Sequence, residues 1–440
     1  MGDLTFKGGV HPYEGKELSM DKPIKEYRPK GELVYPLSQH IGAPAKPVVT
    51  IGEHVKIGQL IAAADGFMSA PIYASVSGTV KAFDKRMNAM SNYVDSIVIE
   101  NDNNYESVEF SEVEDVTKLT REEIMERITK SGIVGMGGAG FPQHVKLSPK
   151  EPEKIEYIIA DCAECEPYLT SDYRLMMEEP ESLVEGMKIL VSLFDNARGY
   201  IAIENNKPDC IEKVKALVKD NDKIEVKVLE TKYPQGGERQ IIFATTGRKL
   251  NSSKLPSDLG CIVLNNSSIM NMYKAVKFGR PLTHRIVTIT GEAIKDPRNF
   301  YVPLGTNFME LVEEAGGFVD TPAKIICGGP MMGFAVSNMD IPIVKTSGAM
   351  LCFLKDQVAM YESTHCINCG KCVEVCPQRL VPSRLAKLME HNDIEGFEAM
   401  NGQECMECGS CNYICPAKKH LTQMIRTGRQ TVLANRRKKK

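Results

Sequence analysis

The rhythm of apolar and polar positions changes from region to region along the chain. In IGEHVKIGQLIAAADGFMSAPIYASVSGTVKAF, short apolar runs alternate with Gly52, Gly58, Gly66 and Gly78. That pattern predicts short strands folded into a small β-sandwich. A helix is expected over Arg121–Lys130. The run at 155–160, with Tyr157, Ile158 and Ile159 in its middle, predicts a buried strand. From 286 onward, RIVTITGEAIKDPRNFYVPLGTNFMELVEEAGGF predicts two strands flanking a turn at 296–299, then a helix over Phe308–Glu314. Between 381 and 401, Leu385, Leu388 and Met389 recur at helical spacing after Ser383 as cap. Asn392 and Asp393 then break the pattern before a second short helix.

A length of 440 residues suits three or four domains of roughly 100–150 residues each. The expected division is 1–115, 116–285, 286–355 and 356–440. Hydrophobic residues make up 42% and charged residues 25%, as in ordinary globular proteins. A net charge of −3 gives no reason to expect a nucleic-acid partner. No stretch approaches the ~18 consecutive apolar residues of a membrane span. The opening MGDLTFKGGVHPYEGKE lacks the apolar core of a signal peptide, so a cytoplasmic location is expected, compatible with docking onto a membrane complex. The chain ends RRKKK, expected to be a solvated tail, with contact to anionic lipid or an acidic partner as the alternative.

Of 14 cysteines, eight stand in two runs, CINCGKCVEVCP at 366–377 and CMECGSCNYICP at 405–416. Each is spaced C-x2-C-x2-C-x3-C and ends in proline. Soft thiolates at this spacing suit iron–sulfur chemistry, and in two-cluster ferredoxins the fourth cysteine ligates the other cluster. One 4Fe–4S cluster is therefore expected on Cys366, Cys369, Cys372 and Cys415, and the other on Cys405, Cys408, Cys411 and Cys376. A pair of zinc sites is the bland alternative, although zinc usually takes paired C-x2-C arms. The helical stretch between the runs argues for a ferredoxin module built on helices.

Clusters of this kind carry single electrons, so a two-electron donor would need a converter such as a flavin. The stretch SGIVGMGGAGFPQHVKL holds Gly135, Gly137, Gly138 and Gly140 within six residues. Such a loop lets backbone N–H groups approach a phosphate, and Lys146 adds a positive charge; an ordinary loop is the alternative. Beyond the strand at 155–160 come Asp161, Glu164 and Glu166, where ligands of open α/β sheets sit. They could hold ribose hydroxyls or orient a flavin and a nicotinamide, or form a solvated loop. Cys162 and Cys165 make a C-x2-C pair with no second pair nearby.

Taken together, GMGGAGFP, AECEPYLTSDYRLM, YPQGGERQ, LNNSS, CGGPMMG and the two cysteine runs resemble the NADH-binding flavoprotein family of respiratory complex I, and within it the C-subunit family of the Rnf complex. The resemblance spans essentially the whole chain. It implies a multidomain α/β protein with an N-terminal β barrel-sandwich, a Rossmann-like FMN/NADH domain, a soluble-ligand-binding β-grasp domain and a C-terminal helical ferredoxin domain with two clusters. It implies FMN contacts at Gly137, Gly138, Gly140 and Lys146, with Phe141 where the nicotinamide nucleotide stacks. Glu164 would lie at the flavin and Glu166 at NADH. Gly237 and Glu238 resemble a second loop over the flavin, and Asn265, Asn266 and Ser268 the segment at its ring and phosphate. Asp161 stands where the complex I pattern has asparagine, and Arg239 where it has a second glutamate. The barrel-sandwich resembles lipoyl and biotinyl carriers, but no lysine occupies the turn at 65–70, so a structural role is expected.

The resemblance implies an electron-input and electron-output subunit of a membrane-bound, ion-translocating ferredoxin:NAD+ oxidoreductase, peripheral on the cytoplasmic side. Its partners would be other subunits of the complex, including an iron–sulfur subunit that exchanges electrons, with ferredoxin acting indirectly. A flavoprotein subunit of a soluble, bifurcating NADH dehydrogenase or hydrogenase is the enzymatic alternative. A non-catalytic iron–sulfur relay is the other.

Overall fold

The computed structural model describes residues 4–438. The N-terminal sandwich packs a four-stranded antiparallel sheet on a three-stranded one. The first has the order Glu32–Pro36, Tyr93–Asn101, Gly78–Met87 and His54–Val55; the second Lys46–Pro47, Leu60–Ala63 and Ile72–Tyr73. Alternate residues point inward, so Leu33, Tyr35, Val55, Ile61, Ile72, Val80, Ile97 and Ile99 form a fully buried core of their own.

Next comes a parallel sheet in the order Ile224–Leu229, Arg198–Glu204, Tyr157–Cys162, Cys261–Asn265. Helices cover both faces. Ile158, Ala160 and Cys162 enter one core, while Ile159 and Ala163 enter another with Ile241 and Ile242. Burial on both faces explains why this strand is continuously apolar instead of alternating. It runs two residues later than the periodicity predicts, because Ile155 closes a 3-10 turn over Pro152–Lys154. Asp161 therefore lies within the strand instead of beyond its end.

The third region is a mixed six-stranded sheet built mainly from His284–Thr290, Arg298–Pro303, Lys324–Cys327 and Ala349–Phe353. The helix Phe308–Glu314 falls where the sequence places it, closed by a capping box of Asn307 and Glu310. An edge strand of this sheet, Lys25–Glu26, comes from the N-terminal segment.

The C-terminal region is helical: Lys371–Glu374, Pro382–Glu390, Ile394–Ala399, Ser410–Ile414 and Leu421–Lys438 surround Leu385, Phe397, Ile425 and Val432. Pro382, not Ser383, opens the second of these helices, its missing N–H costing nothing in the first turn. Asp393 caps the third. The basic end continues the last helix through Lys438, and Arg436 pairs with Glu398, so this part is no loose tail; Lys439 and Lys440 lie outside the described residues. Among the described residues no helix is long and apolar enough to cross a membrane.

The first residues act as a strap. Leu4 bonds to the sheet edge beside Val228, Val10 bridges to Tyr233, and the Gly9 N–H donates to the Val375 carbonyl at 2.8 Å. A Cβ on Gly8 would come within 2.9 Å of the Cys376 carbonyl oxygen.

Candidate functional site

The parallel sheet reverses its strand order between Tyr157–Cys162 and Cys261–Asn265, and a crevice at such a switch point is where α/β sheets bind ligands. The glycine loop lies at this point. It is closed by bonds from Gly135 N–H to the Phe141 carbonyl and from Gly140 N–H to the Gly135 carbonyl. The Ser268 hydroxyl anchors it, accepting from Met136 N–H and donating to the Val134 carbonyl, both at 3.0 Å. Gly137 abuts Asn265, leaving 3.2 Å between a built Cβ and its side chain. Gly138 has φ +147, and a Cβ there would meet nothing within 4 Å.

Asn265 caps the helix Asn266–Phe278 and donates to Asp172 Oδ2 at 2.9 Å. Ser267 donates to the other Asp172 oxygen at 2.9 Å, and Asn266 Nδ2 to the Asp172 carbonyl at 3.2 Å. Lys146 reaches Glu238 Oε1 and the Val263 carbonyl, both at 2.9 Å. Gly236 comes close to Asp161, 3.1 Å from a built Cβ to Oδ1. Thus Gly137, Asp161, Lys146, Glu238, Asn265, Asn266 and Ser268 converge, with Gly237 at the start of the adjoining helix Glu238–Thr246. Gly138 opens onto space at their edge. Gly140 instead packs on Thr346, and Phe141 contributes its backbone to the loop.

The acidic residues divide. Glu164 Oε1 accepts from the Asp172 N–H at 2.7 Å, joining the constellation, and Lys16 of the strap stands 3.7 Å from Oε2. Lys16 also donates to the Glu164, Glu166 and Leu169 carbonyls, so a buried cation stitches the ECEP segment. Glu166 turns the other way. It accepts from Met331 N–H at 3.1 Å, and a side chain on Gly329 would overlap its carboxylate, so the CGGPMMG turn is fitted around it. Its Oε1 is buried without a hydrogen-bond partner, as is Asn266 Oδ1.

Burial raises Asp161, Glu164 and Glu166 each to about 7; Lys16 opposes the rise at Glu164 and the Met331 N–H opposes it at Glu166. Unfolded, these groups ionise near 4. Between the two values the folded state holds more protons at these three groups, so their contribution to stability is greatest at the acid end and falls as pH rises to about 7, against an opposite contribution from His40 and His284, which burial lowers to about 4. The melting temperature of wild type minus that of Asp161→Asn is expected to be larger at pH 5.5 than at pH 7.5. A difference that stays constant across this window would refute the assignment of Asp161 as a buried acid.

Four cysteines, Cys376, Cys405, Cys408 and Cys411, line one small cavity with Gln378, Leu380 and Met406. Backbone N–H groups of Leu380 and Glu407 point at the sulfurs of Cys376 and Cys405, both at 3.3 Å. Cys372 and Cys415 share a separate apolar cluster with Leu421, which also takes in Cys411. Cys366 and Cys369 are exposed on a loop that a bond from Thr364 N–H to the Ala417 carbonyl holds beside Cys415. Among the described residues no three of these side chains already stand in metal-ligand geometry, so the grouping follows from the shared cavity. Cys162 and Cys165 are held up as thiols by burial, with Cys165 sulfur accepting from Gly236 N–H at 3.4 Å, and they gather no further ligands.

Sequence reasoning missed several participants. Asp172 sits in the stretch AECEPYLTSDYRLM without drawing attention. Lys16 arrives from 150 residues away and carries no local signal. The Tyr233 hydroxyl donates to the Cys408 carbonyl at 2.7 Å, joining the turn before Gly236 to the cysteine cavity. Lys345, held near 7 by burial, and Arg285 donate to the Gly132 and Met136 carbonyls and so brace the glycine loop from the third region.

The chain matches four family models in succession: RnfC barrel sandwich hybrid domain over residues 4–104, Nuo51 FMN-binding domain over 128–274, SLBB domain over 286–335, and 4Fe-4S dicluster domain over 359–416. It is 44% identical over 385 residues to the C subunit of the proton-translocating ferredoxin:NAD(+) oxidoreductase complex of Clostridium ljungdahlii, covering 87% of this chain and 84% of the relative. It is 40% identical over 439 residues to the C subunit of the Na(+)-translocating ferredoxin:NAD(+) oxidoreductase complex of Acetobacterium woodii, covering 99% and 98%. Among solved structures, an H2-reduced NAD+-reducing [NiFe]-hydrogenase aligns with a TM-score of 0.50 at 15% identity, over 74% of this chain and 63% of that one, a likeness of fold alone.

Proposed function

Because the chain belongs to the C-subunit family of ion-translocating ferredoxin:NAD(+) oxidoreductase complexes, we propose that it exchanges hydride with NAD(H) at a bound FMN and passes single electrons through two 4Fe–4S clusters. The observation that carries this reading is one shared wall. The loop Gly236–Glu238 faces the glycine cradle on one side, and on the other a Cβ at Gly237 would come 2.7 Å from Met406 in the second cysteine run.

FMN supplies the conversion between a hydride and single electrons, and the clusters supply one-electron carriage. The residues present fit such groups. The open space at Gly138 and the Lys146 ammonium suit a phosphate-bearing polar ligand, and the cavity of four cysteines suits a cluster. In this reading Gly137, Gly138 and Gly140 shape the loop, Lys146 meets the flavin phosphate, and Asp161, Glu238, Asn265, Asn266 and Ser268 hold and orient the ring system. Glu164 faces the flavin. Glu166 and Phe141 receive the nicotinamide nucleotide. Cys376 joins Cys405, Cys408 and Cys411 at the cluster nearer the flavin, and Cys366, Cys369, Cys372 and Cys415 hold the outer one.

The same reading divides the chain at about 115, 285 and 355, with the parallel sheet as a Rossmann-like domain and the third region as a β-grasp. It makes the protein a peripheral subunit on the cytoplasmic side of the membrane, handing electrons to an iron–sulfur subunit and, through it, exchanging them with ferredoxin. Co-purification with integral membrane subunits, with flavin and iron quantified anaerobically, tests it. A chain that carries iron but never flavin would be a relay instead.

Glu166 acts on nucleotide in this scheme. Glu166→Gln should raise the NADH concentration needed for half-maximal flavin reduction roughly tenfold, the scale of a lost charged hydrogen bond, while flavin content stays near normal. Lost flavin with unchanged NADH affinity would exchange the roles of Glu164 and Glu166.

A further inference from the structure

The helix Glu238–Thr246 begins at the flavin-side loop, and its second residue leaves that site altogether. Arg239 Nη1 donates to Glu404 Oε2 at 2.7 Å and to Gln378 Oε1 at 3.0 Å. Glu404 immediately precedes Cys405, and Gln378 follows Cys376 by two residues. A single guanidinium therefore grips both chain segments that bring cysteines to the cavity. The preceding turn is already in contact, through Gly237 and Met406. Gln378 in turn reaches Met406 sulfur at 3.5 Å.

We propose that Arg239 is a positioning residue for electron exchange, fixing the cavity of Cys376, Cys405, Cys408 and Cys411 against the flavin cradle and offsetting the Glu404 carboxylate beside it. The proposal rests on the functional reading above. The step it serves is the movement of one electron between flavin and cluster, with no bond made or broken. Two physical effects follow from the geometry. The grip sets the separation and orientation of donor and acceptor, to which rates are steeply sensitive. The cation offsets the Glu404 carboxylate next to Cys405, so that negative charge does not oppose the extra electron on the reduced cluster. Ser252 also holds Glu404, its N–H donating at 2.9 Å, so the interface retains an anchor when Arg239 is replaced. An arginine at this position, where the complex I pattern has a glutamate, thus serves the interface and not the nucleotide.

The test uses the full chain loaded with flavin and both clusters, as wild type, Arg239→Gln and Arg239→Lys. Flavin bleaching by NADH and cluster reduction are followed separately by rapid mixing and freeze-quench electron paramagnetic resonance, and cluster potentials by equilibrium titration. In Arg239→Gln, flavin content and bleaching should match wild type, cluster reduction should slow about tenfold, and the potential of the cluster nearer the flavin should fall. Arg239→Lys keeps the charge and should restore the potential. Cluster reduction at the wild-type rate in Arg239→Gln would overturn the proposal, as would loss of iron from both variants, which would mark a role in assembly. A wild-type chain that binds no flavin would instead defeat the functional reading, and that result appears before any substitution is made.

Discussion

Gly138→Val is expected to yield a folded protein with both clusters and with flavin reduced to about a tenth of wild type or less. The side chain would meet no protein atom within 4 Å, so no neighbour has to move. Its cost to the fold is backbone strain at φ +147, about 1–3 kcal/mol for a side chain in a region that favours glycine. That is a minor part of a domain's stability. What the isopropyl group does occupy is the open space next to Gly137, where the flavin is proposed to lie. Gly52 provides the control: it too has positive φ and open space around a built Cβ, but it lies in the N-terminal sandwich. Gly52→Val should lower the melting temperature and keep its flavin. Full flavin content in Gly138→Val would place the flavin elsewhere. Loss of flavin from both variants would trace the effect to general destabilisation.

Legibility in the sequence follows the range of the interactions involved. The helices Arg121–Lys130 and Phe308–Glu314 are closed by capping boxes, Thr120 with Glu123 and Asn307 with Glu310, so their limits are encoded within a few residues. The cysteine runs are readable for the same reason, since ligand spacing is local chemistry. The convergence of the glycine loop with Asn265, Ser268 and Lys146 comes from resemblance, not from periodicity. Long-range placement is not readable. Lys25–Glu26 leave their own region to pair with Arg298–Pro303, and two residues of strand carry no detectable alternation. The strap from Leu4 to Lys16 reads as an unremarkable polar N-terminus, yet it touches the sheet edge, Tyr233 and the first cysteine run. Buried cations mislead in a similar way. Lys16, Lys207 and Lys345 are all buried, where a lysine is expected at the surface. Each donates to a backbone carbonyl distant in the sequence, that of Leu169, Ala163 or Pro71, which only the assembled fold brings near.

The arrangement of cysteines makes the second large prediction a matter of which cluster breaks. Cys376 belongs to the first run by sequence and to the second by position, lining one cavity with Cys405, Cys408 and Cys411. Pro377 follows it and turns the chain, after which Leu380 N–H points back at its sulfur. Its own run goes elsewhere: Cys366 and Cys369 are exposed, and Cys372 packs with Cys415. Exchange of the fourth ligand would therefore tie the two runs into one folding unit. Cys376→Ser should convert or abolish the cluster of the second run and leave the first run's cluster with its wild-type spectrum. The two spectral signatures calibrate themselves, because Cys405→Ser and Cys366→Ser each mark one cluster through a cysteine whose assignment does not depend on the exchange. In electron paramagnetic resonance of the reduced protein, Cys376→Ser should reproduce the Cys405→Ser change, and Cys415→Ser that of Cys366→Ser. Replacing a thiolate by a weaker alkoxide or water ligand disturbs a cluster at its iron, so the loss falls on the cluster that owns the ligand and not on its neighbour. If Cys376→Ser instead reproduces Cys366→Ser, each run closes its own cluster, and the shared cavity reflects packing alone.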